Sequence, residues 1–459
     1  MTDLSDELLP TTRRALLHRL AVAQSEGRTP STVAAVVRDG RLVWSGARSM
    51  IDGHAPTVDV QYRIGSITKT FVAVLVLRLR DEGLLDLADP VERHLPGTPA
   101  DGATVAQLLS HSAGLASETP SPWWERTDGA LRPALADVLE RERPRRHPAG
   151  RLHHYSNPTY ALLGALVERL RGEPWGEVLR REVLEPLGMD RTTLLPEHPH
   201  AGGFAVHPWA DVLLPEPLTD TGLMAPAGQL WSTAADLARW AAFLAGGDGK
   251  VLSADTLAEM RRPAVAPDTD DWTETYGLGL QLIRHDGRTL FGHTGSMPGF
   301  TAGLWVSEAD GLAAIAFSNA THGPPTGQLT AELIAVTAEH EPRIPEPWRP
   351  LPEVDEHLLA LTGPWYWGAS PHALRLAAGR TLELSVLGRG GRASRFRPEA
   401  DGTWTGLDDY YAGETLRVVR AADGSVSHLD IGSFVFTREP YGPAEVVPGG
   451  LDPRGWRAY

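Results

Sequence analysis

The sequence predicts two folded units, an α/β (α+β) sandwich with a helical region in its middle and, after it, a C-terminal antiparallel β-barrel. Three observations carry this. Strand-like apolar runs near residues 33–44 and 276–318 bracket a long stretch of helical periodicity. Five prolines crowd residues 342–352, where the ring removes the backbone donor and stiffens the chain. Beyond them the hydrophobic period drops to two, in short runs separated by glycine-rich turns. With 459 residues the chain is too long for a single core. The expected division is residues 1–341, a linker at 342–352, and a β-domain at 353–459.

The elements follow in order. Arg13 and Arg14 sit on the polar face of a first amphipathic helix. Val33–Val37 and Arg41–Trp44 flank Asp39-Gly40, the signature of a tight hairpin. Apolar residues recur from Phe71 to Leu79 and stop at Gly83, which predicts a helix. Further helices are expected near 104–110, 159–170 and 175–184. Ser232-Thr233 caps another that runs to about Leu244. Strands are expected at Tyr276–Ile283, Phe300–Val306 and Leu312–Ser318, closing one sandwich whose sheet draws on both ends of the segment. In the last unit the strand-like runs are Leu374–Ala377, Leu382–Val386, Thr403–Gly406, Leu416–Arg420, Ser427–Ile431 and Phe434–Thr437, with Trp365 and Trp367 on one more.

Composition narrows the function classes. A net charge of −15 repels phosphate backbones and anionic lipid, so neither nucleic acid nor a membrane is an expected partner. There is no cysteine, which removes disulfides, thiolate nucleophiles and cysteine metal sites. The chain opens on Asp3, Asp6 and Glu7, and the apolar run after Arg14 is broken at His18; this does not read as a secretory signal, and the expectation is a cytoplasmic protein. His153-His154 and His198-Pro199-His200 lack a third ligand at metal spacing, and no phosphate-binding glycine loop precedes a helix. No metal or cofactor is expected.

Chemistry is concentrated in three short stretches. Ser66 and Lys69 stand one helical turn apart at the start of the 71–79 run. A serine hydroxyl needs a neighbouring base, and a buried lysine at a helix N-terminus has its charged form disfavoured. Among 43 basic residues only Lys69 and Lys250 are lysine, so a lysine here is not a generic positive charge. Arginine could not serve, since it does not lose its proton. Tyr155 and Asn157 precede Pro158 and a helix: a phenol beside an ammonium can have a lowered pKa and relay a proton, and the amide can both donate and accept. His293, Thr294, Gly295 and Ser296 run towards the 300–306 strand, with glycine allowing close approach and the Ser296 N–H a partner for that of Ser66 at a developing oxyanion. Each piece alone has a plainer reading, as a helix cap, a turn asparagine or a structural histidine. Trp123-Trp124 read equally well as cleft lining or packing.

Together, Ser66-x-x-Lys69, Tyr155-x-Asn157 and His293-Thr294-Gly295 resemble, in order and rough spacing, the class C β-lactamase and penicillin-binding serine hydrolase family. Supporting text includes Tyr62–Gly65, Leu108–Leu115, Pro186–Met189 and Tyr276–Gly279, and the likeness spans roughly residues 10–335. The resemblance implies a β-lactamase/transpeptidase-like sandwich with Ser66 as acylated nucleophile, Lys69 and Tyr155 as proton relay, and His293 as a fourth catalytic residue. It implies that Asn157 positions substrate, and that Thr294, Gly295 and Ser296 line it. Many β-lactamases of the family carry lysine where this chain has His293, which puts efficient β-lactam hydrolysis in doubt. The C-terminal β-domain resembles the lipocalin-like appendage of some members.

That combination, without an export signal, resembles the penicillin-binding-protein-type thioesterases, which release and often cyclise nonribosomal peptides from a carrier protein. The 448–457 stretch (Pro448 to Arg457) resembles endings found there. The leading expectation is therefore a serine acyl-enzyme catalyst acting on a peptidyl or acyl substrate presented on a carrier protein. The alternatives are an esterase, D-peptidase or weak β-lactamase that hydrolyses its acyl-enzyme with water, and a catalytically silent binding module on the same fold.

Overall fold

The computed structural model describes residues 8–120, 123–126, 134–247, 249–265, 273–345, 347–389, 391–442 and 445–446. The acidic lead Asp3–Glu7 and the tail carrying Arg454 and Arg457 lie outside these. Two compact units divide at Ile344/Pro345.

The first unit is built on a seven-stranded antiparallel sheet. Its strands are β1 (Ser31–Arg38), β2 (Arg41–Ser49), β3 (Glu274–Tyr276), β4 (Gln281–His285), β5 (Arg288–Met297), β6 (Phe300–Ser307) and β7 (Leu312–Ser318), in the order β2-β1-β7-β6-β5-β4-β3. The first and last parts of the segment thus meet in one sheet, with β1 paired along its length to β7. Strand β1 is apolar from Val33 to Val37 because both its faces are covered there. Val33, Ala35 and Val37 enter one core and Ala34 and Val36 the other. Asp39 and Gly40 both have positive φ, as a two-residue hairpin turn requires.

Helices α1 (Pro10–Glu26) and α5 (Thr326–His340) cover one face of the sheet, where Leu16, Leu20, Leu329, Leu333 and Ile334 pack with Trp44 and Trp305. On the other face lie α2 (Thr68–Asp81), α3 (Asn157–Arg171) and α4 (Ala234–Ala245). Helix α2 is buried almost all round, which explains the unbroken apolar run from Phe71 to Leu77. Thr233 caps α4 by accepting from the Asp236 N–H.

Two sequence expectations are corrected here. The 276–283 run is two strands, β3 and β4, because the chain turns at Gly277–Leu280. Gly279 there has φ +84, and a Cβ on it would collide with Ala73 of α2. The His293–Ser296 stretch does not lead directly into the next strand. It occupies a strand of its own, β5, which turns at Gly299 and pairs antiparallel with β6. Gly292 and Gly295 hid this strand by lowering its apparent β-propensity, yet each is required by a backbone in van der Waals contact.

The second unit is an eight-stranded antiparallel meander, nearly closed into a barrel. Its strands are β8 (Gly363–Trp367), β9 (Ser370–Leu376), β10 (Leu382–Val386), β11 (Ser394–Pro398), β12 (Trp404–Gly406), β13 (Thr415–Arg420), β14 (Val426–Ile431) and β15 (Phe434–Phe436). The first and last are joined by mutual backbone bonds between Tyr366 and Thr437, at 2.7 and 2.9 Å. Closure leaves few unpaired edge groups. Trp365, Leu374, Leu384, Phe396, Leu416, Leu429 and Phe436 fill the interior, at alternating positions of their strands. Strand β11 was not legible beforehand: its alternate residues Arg395 and Arg397 give it a charged outer face.

Candidate active site

Ser66 sits on a single 3-10 turn, Gly65–Ile67, that runs straight into α2. Gly65 has φ +53, and a side chain there would press on the Ser296 backbone, 2.5 Å from its nitrogen. Reciprocally, a Cβ on Gly295 would collide with the Ile64 carbonyl and lie 2.9 Å from the Ser66 nitrogen. The two glycines thus let β5 lie against the nucleophile turn. The pairing of β5 with β4 stops at Gly292. Past that point the Thr294 N–H points to the vacated edge and reaches Gln281 Oε1 at 2.8 Å. Backbone direction repeats every second residue, so the Ser296 N–H points the same way, towards Ser66.

Lys69 occupies the first turn of α2 and is 0% exposed. Its Nζ lies 3.0 Å from Ser66 Oγ, 2.8 Å from Asn157 Oδ1 and 2.6 Å from the Ala227 carbonyl. Burial pulls its pKa down to about 7, against the opposing pull of the Glu118 and Glu125 carboxylates. The three contacts fit this value. The two carbonyl oxygens can only accept, so they take both N–H groups of a neutral amine. The lone pair is then left for the Ser66 hydroxyl, which can donate to it.

Asn157 begins α3, and its orientation is fixed from both sides. Oδ1 accepts from Lys69, while Nδ2 donates to Glu118 Oε1 at 2.6 Å. The other oxygen of Glu118 accepts from Trp124 Nε1 at 2.8 Å, so Trp124 is a buried support; its neighbour Trp123 is exposed. Neither tryptophan lines the cleft described below.

Tyr155 is hydrogen-bonded to Ser66, and its ring lies 4.9 Å from the Lys69 ammonium. The expected lowering of its pKa is reversed. Burial pushes the phenol well above its ordinary value, more than its bond with Ser66 offsets. At neutral pH Tyr155 is therefore a phenol that donates, and it cannot start as the base.

His293 is 1% exposed and both ring nitrogens are engaged. Nδ1 donates to the Thr294 carbonyl, and Nε2 accepts from the Tyr276 hydroxyl at 2.8 Å. Burial and the Lys69 charge depress its pKa to about 3, so the ring is neutral. It contributes to the cleft wall without offering a charge.

Sequence reasoning missed His111 as a site residue, although it lies inside the quoted 108–115 stretch. It is buried with φ +54, and its Nδ1 accepts from the Ser156 N–H at 3.1 Å, which holds the loop between Tyr155 and Asn157. Its ring packs 4.3 Å from that of Tyr155 and 4.8 Å from that of Tyr276. The positive φ on a non-glycine residue is the physical mark of such a site, and only coordinates reveal it.

A cleft of about 730 Å³ opens from Ser66 across β5. Tyr155, His293, Thr294, Gly295, Ser296, Gln281 and Glu274 line one part, and residues 321–328 the other. Among the described residues no group of three or more His, Cys, Asp and Glu could hold a metal ion, and no helix is long and apolar enough to cross a membrane.

A serine beside a near-neutral lysine and a phenol, at the foot of this sheet, sits in a chain that is similar to several known proteins. Penicillin-binding protein 4 of Amycolatopsis lactamdurans is 31% identical over 329 residues, covering 66% of this chain and 84% of the relative. A D-stereospecific amidohydrolase from Streptomyces sp. superposes with a TM-score of 0.58 at 26% identity, over 72% of this chain and 98% of its own. The protein SurE has a TM-score of 0.58 at 25% identity, over 94% of this chain and 99% of its own. A family model described as a domain of unknown function (DUF7586) matches residues 354–438. The Beta-lactamase family model matches residues 14–339, and the chain therefore belongs to the beta-lactamase family of penicillin-binding-protein-type serine hydrolases.

Proposed function

We propose that the protein forms an acyl-enzyme on Ser66, with neutral Lys69 as the base. The observation that carries this is the 3.0 Å contact between Ser66 Oγ and a fully buried lysine whose pKa lies at about 7. Lys69 takes the Ser66 proton as Oγ attacks the acyl carbonyl. The Ser66 and Ser296 N–H groups receive the oxyanion. Tyr155, protonated and bonded to Ser66, passes a proton to the leaving atom and is restored from the Lys69 ammonium. Asn157 holds the acyl half of the substrate, and His293 with Tyr276 fixes the wall of β5 without taking part in proton transfer. A fluorophosphonate should phosphonylate Ser66 with loss of fluoride, adding the mass of the reagent less HF to the wild-type chain and not to Ser66→Ala. Labelling of Ser66→Ala at the wild-type rate would remove Ser66 from the mechanism.

Within that chemistry, the acyl group is read as ending in a D-residue and the reaction as release from a carrier thioester, with ring closure by an amine of the same peptide, in the cytoplasm. The D-residue is supported by a similar D-stereospecific amidohydrolase and by a structure of SurE, alike along nearly the whole chain, solved with D-Leu; the carrier thioester, the ring closure and the location rest on the resemblance drawn from the sequence. Ring closure competes with water only if the amine is held at a high effective molarity. A peptidyl thioester with a terminal D-residue should give cyclic product. Linear acid alone from several such thioesters would leave a hydrolase of the same acyl-enzyme.

A further inference from the structure

The cleft's charged groups are one-sided. Among its described lining residues there is no lysine or arginine, and one carboxylate, Glu274. Glu274 lies on β3, the edge strand of the sheet. Side chains alternate along a strand, so Glu274 shares a face with Tyr276, whose hydroxyl donates to His293. Tyr276 is opposite Gln281 in the register, and Gln281 Oε1 accepts from the Thr294 N–H at 2.8 Å and the Thr294 hydroxyl at 3.2 Å. Thr294, Gln281 and Glu274 thus form a continuous wall running away from Ser66. Its cationic counterpart is missing: where an anion receptor would need a guanidinium or ammonium there is a neutral amide, its oxygen already engaged.

Among the described residues no hydrogen bond or ion pair engages the Glu274 carboxylate. The side chain is exposed, yet partial desolvation by its surroundings raises its pKa, and no neighbouring cation draws it back. On the other flank of the nucleophile, Asn157 and its partner Glu118 stand outside this cleft. With the carbonyl fixed by the Ser66 and Ser296 N–H groups and the acyl half on the Asn157 side, the other half of the substrate runs along Thr294 towards Glu274.

We propose that this wall is an ammonium subsite, with Glu274 as its anion, so that the group leaving or entering opposite the acyl half carries an amine and not a free carboxylate. The inference rests on the acyl-enzyme reading above and adds the substrate class on that side. A carboxylate placed there meets Glu274 with no lysine or arginine among the described lining residues to offset it, whereas an ammonium meets an opposite charge, on an exposed stretch of wall where salt screens the difference.

Three esters of N-acetyl-D-phenylalanine test it: choline, its neutral isostere 3,3-dimethylbutanol, and 4-hydroxybutyrate, which bears a carboxylate. Single-turnover acylation of the full chain is followed by mass spectrometry. The choline ester should react about five- to tenfold faster than the dimethylbutyl ester, with the carboxylate ester slowest, and the spread should shrink as salt is raised. In Glu274→Gln the choline-to-dimethylbutyl ratio should fall close to one, and Glu274→Asp should keep part of it. Because the readout is a ratio within each variant, a general loss of activity does not mimic the result. A wild-type ratio retained by Glu274→Gln overturns the subsite. Equal rates for all three esters on the wild type overturn it too while leaving the acyl-enzyme standing. Failure of all three to acylate Ser66 overturns both.

Discussion

Lys69 is the residue on which the rate should turn, because it must be neutral to accept the Ser66 proton. Its pKa is lowered from the ordinary lysine value to about 7, so the neutral fraction grows as pH rises through 7. Acylation by a neutral ester should rise about tenfold per pH unit well below that value and flatten above it. Glu118 favours the ammonium, and its removal as a charge should make Lys69 a weaker base that is neutral at lower pH. In Glu118→Gln the amide oxygen can still accept from Asn157, so the rising limb should move to lower pH. At pH 6 the variant should acylate about twofold faster than wild type. A pH–rate profile that stays in place would mean that Glu118 acts only through Asn157.

At the scale of elements, the site depends on how closely β5 approaches the turn before α2. Gly295→Ala puts a methyl group against the Ile64 carbonyl and near the Ser66 nitrogen, and neither backbone can yield without moving the other. The chain should still fold, since β5 remains paired with β6. The Ser296 N–H would be displaced from the oxyanion, and loss of one such donor typically costs about 10²–10³ in rate. Acylation kinetics alongside a thermal melt separate the two effects. A variant with near-wild-type acylation would place the oxyanion elsewhere. The same closeness explains why β5 was hard to read: its glycines look like loop residues until the neighbouring backbone is seen.

Across the whole molecule, the apolar residues fall into separate sets. The two cores flanking the seven-stranded sheet use residues up to Ile334, and the barrel core begins at Leu358. Cores that share no residue predict units that fold alone. A chain ended at Pro342 should therefore melt cooperatively and label on Ser66 with a fluorophosphonate at a rate within about threefold of the full chain. Aggregation, or loss of labelling in a soluble truncated chain, would show that the barrel is needed to complete the first unit. With the same truncated chain, the ratio of cyclic to linear product from a peptidyl thioester measures what the barrel adds to the second half-reaction.

Much of this was legible in the order of residues. Local patterns with a short physical range gave the hairpin at Asp39-Gly40, the helix after Ser66, the capped helix after Thr233 and the change of period past the prolines. A lysine in a chain that otherwise prefers arginine marked the base, because only lysine can lose its proton there. What the sequence could not supply were quantities set by distant neighbours. The direction of the Tyr155 shift depends on complete burial, which outweighs its bond with Ser66. The neutrality of His293 depends on its burial and on the Lys69 charge nearby, while Tyr276, reached across the turn at Gly279, fixes the ring by donating to Nε2. His111 and Glu118 entered the site because the loops carrying them fold back on α3. Glu274 reached the cleft because an edge strand carries it there. Charge state follows from desolvation and from what lies within a few ångströms, and only the tertiary structure decides those.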